Sequence, residues 1–176
     1  DVHFDSKLPE DVPAGDVLDN IDWYTDFTMR RCHMRGNRAR ASLIKTRGQV
    51  LIEDNFFHSP GSAIQISGGI DAWYESGPVR DVTIRKNRFD RCAYNAPTWG
   101  EAVFQIKGGK KRKTPYHRNI SIEDNELICE NDKVLVLQSV GDFVFRNNTM
   151  RRADGQPIGE WRREEGCENV KIEESR

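Results

Sequence analysis

Apolar and polar residues recur along this chain as apolar-x-apolar-x-x-Asn-x-apolar. Val50-Leu51-Ile52-Glu53-Asp54-Asn55-Phe56-Phe57 is one copy. It returns as Val82, Ile84, Asn87, Phe89, then as Ile120, Ile122, Asn125, Leu127, then as Phe143, Phe145, Asn148, Met150. A degenerate copy, Phe27, Met29, Cys32, Met34, comes earlier, and a partial one, Val170, Ile172, closes the series. Period-two alternation predicts a strand with one buried face in every copy. The Asn breaks the alternation where the chain must turn. Asn tolerates the left-handed backbone region and can bond local backbone. Stacked Asn residues can also bond one another along a ladder.

The turn Asn residues stand 32, 38 and 23 residues apart, and Cys32 precedes Asn55 by another 23. A minimum repeat with variable additions is the mark of a solenoid whose insertions become loops. A second strand is predicted after each turn. Ala63-Ile64-Gln65-Ile66-Ser67-Gly68-Gly69 aligns with Val103-Phe104-Gln105-Ile106-Lys107-Gly108-Gly109. Leu43-Ile44-Lys45-Thr46-Arg47-Gly48 fits ahead of them and Leu135-Val136-Leu137-Gln138-Ser139 behind. On that alignment Ile44, Ile64, Phe104 and Leu135 stack inward, and Lys45, Gln65, Gln105 and Val136 stack outward.

Two charged columns emerge from the same alignment. One reads Arg30, Glu53, Arg85, Glu123, Arg146, Glu173, and the next reads Arg31, Asp54, Lys86, Asp124, Asn147, Glu174. The sign flips at every step of the first column and at all but the Asn step of the second. Opposite charges on adjacent strands stabilise a sheet and like charges destabilise it. Successive repeats are therefore neighbouring strands. The fold class predicted is all-β: a right-handed parallel β-helix of about five or six coils with an Asn ladder, about 25–30 Å tall at roughly 4.8 Å per coil. A β-sandwich also shows frequent short strands, but has no reason to repeat one motif or to alternate charge along columns.

A length of 176 residues suggests one domain. Within it, residues 1–24 form an irregular lead-in, 25–150 the main coils and 151–176 a final partial coil. The net charge of −1 leaves no wholly basic face, which argues against nucleic acid as a partner. No apolar run approaches membrane-spanning length. Solenoid ends expose strand edges and normally carry caps. The polar, Pro-bearing start offers no amphipathic helix for that purpose, so the chain reads as part of something longer. Uncovered edges would also permit end-to-end or edge-mediated association. Of the four cysteines, Cys92 and Cys129 follow the turns of consecutive coils and would be neighbours. A disulfide is open to them, and buried free thiols are the preferred reading. The four histidines have no metal-ligand spacing, and neither a metal nor a cofactor is called for.

Function in a solenoid gathers on insertions and on one exposed face. The loop Gly68–Pro78 holds Asp71, Trp73, Tyr74 and Glu75, two carboxylates flanking two aromatics. Aromatic faces stack on sugar rings, and carboxylates bond hydroxyls or act as acid and base. Trp99 and Glu101 could line the same groove one coil away. Arg38 and Arg40 supply cations beside it, and Lys45, Gln65 and Gln105 form a floor of polar groups. Folded-back aromatics and an ordinary solvated sheet face would explain the same residues. The run Lys107-Gly108-Gly109-Lys110-Lys111-Arg112-Lys113 lacks the phosphate-loop order and reads as a connection. Ser42-Leu43-Ile44-Lys45 has the S-x-x-K form but lies in a strand, not at a helix start.

These residues resemble glycoside hydrolase family 110, the α-1,3-galactosidases. Asn37-Arg38-Ala39-Arg40, Thr46–Asn55, Ser62–Ile66 and Trp73–Ile84 carry the resemblance, which runs from about residue 25 to residue 150. It implies a right-handed β-helix, an inverting α-galactosidase activity on galactose-terminated glycans, and an extracellular or periplasmic setting for such a substrate. It also implies that this chain matches only the C-terminal part of a much longer enzyme. The family's catalytic carboxylates lie in an Asp-Asp-containing segment on earlier coils, and no Asp-Asp pair occurs here. No catalytic residue carries over. Arg38, Arg40, Asp71, Trp73 and Glu75 carry over as contributors to a substrate cleft, with Asp71 or Glu75 a less favoured candidate for one of the catalytic pair. The rival readings are a non-catalytic carbohydrate-binding or scaffold solenoid and, last, a polysaccharide lyase, for which no Ca²⁺-holding Asp cluster is visible.

Overall fold

Short apolar-alternating segments and an Asn every twenty to forty residues produce a coil of three strands, repeated. In the computed structural model the structure describes residues 3–10, 12, 19–20, 22–68, 76–95, 100–108 and 114–173. The strands are β1 (Phe27–Arg30), β2 (His33–Met34), β3 (Ser42–Ile44), β4 (Val50–Glu53), β5 (Phe56–Phe57), β6 (Ile64–Ser67), β7 (Arg80–Arg85), β8 (Arg88–Asp90), β9 (Phe104–Lys107), β10 (His117–Glu123), β11 (Glu126–Cys129), β12 (Leu135–Gln138), β13 (Val140–Arg146), β14 (Thr149–Arg152), β15 (Arg162–Glu165) and β16 (Glu168–Ile172). They form three sheets: A in the order β1-β4-β7-β10-β13-β16, B as β14-β11-β8-β5-β2, and C as β15-β12-β9-β6-β3. Every pairing is parallel. This is a right-handed parallel β-helix.

The register places like on like. Val50, Val82, Ile120 and Phe143 form one inward column of sheet A, and Ile52, Ile84, Ile122 and Phe145 the other. All eight are buried. In sheet B, Phe57 stacks on Phe89 with ring centres 4.9 Å apart. In sheet C, Phe104 sits between Ile64 and Leu135 and meets Phe89 edge-on at 4.8 Å. Each buried aliphatic or aromatic side chain contributes about 1.5–3 kcal/mol.

The Asn ladder is continuous. Asn55 Nδ2 donates to Asn87 Oδ1 at 2.9 Å, Asn87 Nδ2 to Asn125 Oδ1 at 3.0 Å, and Asn125 Nδ2 to Asn148 Oδ1 at 2.9 Å. Each Oδ1 also accepts the backbone N–H of the preceding ladder Asn, at 2.9–3.0 Å. At the foot of the ladder, the Cys32 N–H donates to Asn55 Oδ1 at 2.9 Å.

The structure differs from the sequence expectations in three places. The coil has three strands, because two- to four-residue strands of sheet B follow each Asn directly. The left-handed residue is not the Asn but the one before it: Arg31, Asp54, Lys86, Asp124 and Asn147 have φ between 53° and 58°. From Arg31 to Asn147 the second charged column is therefore a column of turns, and its last member, Glu174, lies outside the described residues. Third, Lys45 does not stack on Gln65. Leu43 pairs with Gln65 and Ile44 with Ile66, a shift of two residues that keeps Ile44 inward. Gly68 and Gly108, aligned by the repeat, both abut Tyr116, where an added Cβ would come within 2.5 Å of its ring or Cβ.

Candidate functional site

Sheet C carries the insertions singled out from the sequence, and its outer face is the candidate site. Reading across the rungs, the outward residues are Leu43, Gln65, Gln105, Val136 and Arg163, followed by Ser67, Lys107, Gln138 and Glu165. Gln105 fixes the segment before β9, its Oε1 accepting the Glu101 N–H at 2.8 Å. The Glu101 carboxylate is held between two cations, Lys107 on β9 and Arg163 on β15. Arg163 reaches past Val136 to make this contact, and Val136, although outward, is buried.

The bond from Lys107 is the main reason the Glu101 carboxyl is held below the usual carboxylate range; partial burial opposes this and Arg163 reinforces it. Glu101 is thus an ionised acceptor, suited to hydroxyl recognition rather than to donating a proton at neutral pH. It borders an open cleft of about 390 Å³ with Asp132, Val136, Glu160, Trp161 and Arg163. Trp161 and Val136 supply apolar surface, and charged groups of both signs surround it. Asp132 is also held ionised, first by Arg152 and then by the Gly159 N–H. Among the described residues, no group of three or more His, Cys, Asp or Glu could hold a metal ion.

The other sequence candidates are spread along the same sheet. Arg38 is exposed and Arg40 half-buried on the segment leading into β3, which Asn37 Nδ2 braces by donating to the Arg40 carbonyl at 2.6 Å. Lys45 follows β3 and is half-buried. Strand β3 lies two rungs from β9, about 10 Å along the stack, so these cations border a different stretch of the face from Glu101. Asp71, Trp73, Glu75 and Trp99 lie outside the described residues. Asp132, Glu160, Trp161 and Arg163 were missed from the sequence. Asp132 lies before β12, Glu160 and Trp161 before β15, and only Arg163 on β15, a strand that has Arg162 and Glu164 where the columns of Leu135 and Leu137 continue and so lacks apolar alternation.

Coils, ladder and outer face together define a right-handed parallel β-helix with a polar, Trp-edged cleft on one sheet. No family model matches the chain. It is 40% identical over 173 residues to α-1,3-galactosidase B of Bacteroides thetaiotaomicron, covering 94% of this chain and 28% of that protein. It is 38% identical over 159 residues to α-1,3-galactosidase A of Shewanella woodyi, covering 89% and 26% respectively. With α-1,3-galactosidase B of Akkermansia muciniphila the identity is 35% over 182 residues, covering 98% and 22%. Along nearly its whole length, then, the chain is related to a portion of the α-1,3-galactosidases. It spans about a quarter of the length of these relatives.

Proposed function

We propose that this chain is the C-terminal β-helical part of an inverting α-galactosidase-like glycoside hydrolase acting on terminal α-linked galactose, and that it lends the outer face of sheet C to the substrate cleft. The observation that carries the reading is the 31–40% identity to α-1,3-galactosidases across most of the chain. The substrate is a galactose-terminated glycan, and the setting such a substrate implies is extracellular or periplasmic.

Inversion requires an acid and a base on opposite faces of the sugar, roughly 6.5–9.5 Å apart. Two rungs of one sheet offer that separation. Glu101 does not fit the acid role, because Lys107 and Arg163 keep it charged. The acid therefore belongs to a residue other than Glu101, and Glu101, with Arg38, Arg40 and Lys45, serves in binding. The engagement of Glu101 by two cations equally favours a second reading, a non-catalytic carbohydrate-binding scaffold.

Turnover of a nitrophenyl α-galactoside tests the proposal. The isolated chain should bind galactose without hydrolysing the glycoside, whereas the chain together with the rest of its protein should hydrolyse it with inversion. Hydrolysis by the chain alone, abolished by Asp71→Asn or Glu75→Gln, would put the acids within it. Binding without turnover by the complete protein would leave the scaffold reading.

A further inference from the structure

One imidazole stands in sheet A where its neighbours on either rung are valines. The register places Val79, His117, Val140 and Cys167 level on consecutive rungs, one residue before Arg80, Arg118, Gly141 and Glu168. His117 is fully buried, and so are Val79 and Val140 on its two sides. What the imidazole adds to this apolar column is two nitrogens, and both are used. Nδ1 accepts the Val79 N–H at 3.0 Å, and Nε2 lies 3.0 Å from the Lys107 carbonyl at the end of β9. An amide N–H can only donate and a carbonyl can only accept. The neutral ring with its proton on Nε2 is therefore the form that satisfies both partners.

The ring ties the residue before β7 to the last residue of β9, and so joins sheet A to sheet C. The chain around it is held as well. The Tyr116 N–H donates to the Ser139 carbonyl at 2.7 Å, and the Gly108 N–H to the Gln138 carbonyl at 2.8 Å. The Tyr116 ring meets the imidazole edge-on, with centres 4.9 Å apart. Lys107, whose carbonyl the ring holds, is also the residue whose ammonium pairs with Glu101 in the sheet C cleft.

A second proton would change one of these bonds and spare the other. On Nδ1 it sets a donor against the Val79 N–H, and that bond is lost. Nε2–H still donates to the Lys107 carbonyl, now from a cation. Val79 is fully buried, so its N–H is left unsatisfied. Among the described residues, the ionisable groups on the elements packed against the ring are Tyr116 beside it, Lys107 on β9, Arg80 on β7 and Arg118 on β10. Lys107 is engaged by Glu101, and Arg118 by Asp142 and Glu168. The charged residues of 69–75 and 109–113 lie outside the described residues.

We infer that His117 is a proton-operated latch: neutral, it pins the start of β7 to the end of β9, and once protonated it releases Val79 while keeping Lys107. The inference goes beyond the galactosidase reading, because it rests on the fold alone and needs no ligand.

The test is NMR of the unaltered chain as the pH is lowered from about 8 to about 4.5, the range in which an imidazole charges. The ring nitrogens should report the Nε2–H tautomer at the start. Uptake of the second proton should coincide with at least about a tenfold loss of hydrogen-exchange protection at the Val79 amide, while Ile84, Gly108 and Phe145 keep theirs. His117→Asn retains an acceptor near the Nδ1 position but cannot be charged, so Val79 should stay protected across the range. His117→Gln retains only a donor near the Nε2 position, so Val79 should be poorly protected at every pH. The opposite tautomer, a charged ring with Val79 still protected, a ring that stays neutral throughout, or a loss at Val79 shared with Ile84 would each overturn the inference. The measurements on the unaltered chain decide it even if neither variant folds.

Discussion

Arg85 Nε donates to Glu53 Oε1 at 2.8 Å across neighbouring rungs, while Arg30 Nε on the other side lies 3.0 Å from Glu53 Oε2. One carboxylate thus joins three coils, and it is only 15% exposed. Farther along the same column Arg146 pairs with Glu123 at 2.7 Å. Glu53→Lys should replace two attractive cross-strand pairs with two repulsive ones. We expect a loss of about 1–2 kcal/mol, discounted for the exposure of Arg30, read as a lower urea midpoint at unchanged slope. Lys7→Ala breaks an ion pair whose side chains are 83% and 89% exposed, and should shift the midpoint by nothing measurable.

The ladder gives a larger effect. Asn87 is buried, and its Oδ1 serves both the N–H and the Nδ2 of Asn55 while its Nδ2 reaches the Ile52 carbonyl at 2.9 Å. Asn87→Ala would strand at least two buried groups, at about 1–3 kcal/mol each, so a loss of about 3 kcal/mol or more is expected. Cys32 holds the ladder position of the first coil without an amide. Cys32→Asn should add a bond to Asn55 Oδ1 and raise stability by about 0.5–1.5 kcal/mol. Thermal melting of the two variants checks both signs, and a destabilised Cys32→Asn would mean that the ladder cannot extend to that coil.

Which parts of this were legible beforehand follows from periodicity. The two inward columns of sheet A and the Arg/Glu column could be read directly, because four to six residues alternating with period two leave little choice of register. The shift at Lys45 could not. Moving a strand by two residues preserves which side chains face in, so Ile44 fits equally well opposite Ile64 or Ile66. Strands such as His33–Met34 and Phe56–Phe57 are too short to show a period. The left-handed turn residues were hidden by their identities. Arg31 and Lys86 are poor residues for φ near +55°, a conformation costing roughly 1–2 kcal/mol, and the ladder bond on the next residue holds them there. In the candidate site, Glu101 was legible as a carboxylate on an insertion, but its cationic partner Arg163 was not, since β15 has charges at core-facing positions. Inward charges of that kind also deter pairing at the edge of a sheet.

The cysteines give a chemical test of packing. Cys92 and Cys129 are buried free thiols, and burial pushes the first up to about 12 and the second to about 11. Cys92 Sγ also donates to the Phe57 carbonyl at 3.4 Å. Only thiolate reacts with alkylating agents, so both should stay unmodified at pH 8 in the folded chain. Cys32, which is exposed, should label first and the half-buried Cys167 more slowly. Mass mapping after iodoacetamide should show Cys92 and Cys129 labelled only once the chain is unfolded. A Cys92–Cys129 cross-link in that map would contradict the packing described above.

Acid should open the stack from its last coil. Arg152 on β14 makes two bonds to Asp154, at 2.9 and 2.6 Å, and one to Asp132 at 2.9 Å. Asp154 is lowered to about 2, chiefly by Arg152 and then by the Gln156 N–H, and Asp132 is lowered by Arg152 and the Gly159 N–H. An unfolded Asp titrates near about 3.9. Between those values the folded chain binds fewer protons than the unfolded one, so stability falls as pH falls. The contribution is complete above the unfolded value and is gone once the pH has passed below the folded one. Asp154→Asn should therefore lower the melting temperature at neutral pH and flatten its decline between pH 4 and about 2, the two curves converging at the acid end. Amides of β14 should lose hydrogen-exchange protection at a higher pH than those of β4, β7 and β10, which lie deeper in the stack. Parallel melting curves for the variant and the unaltered chain would show that this cluster does not set the acid limb.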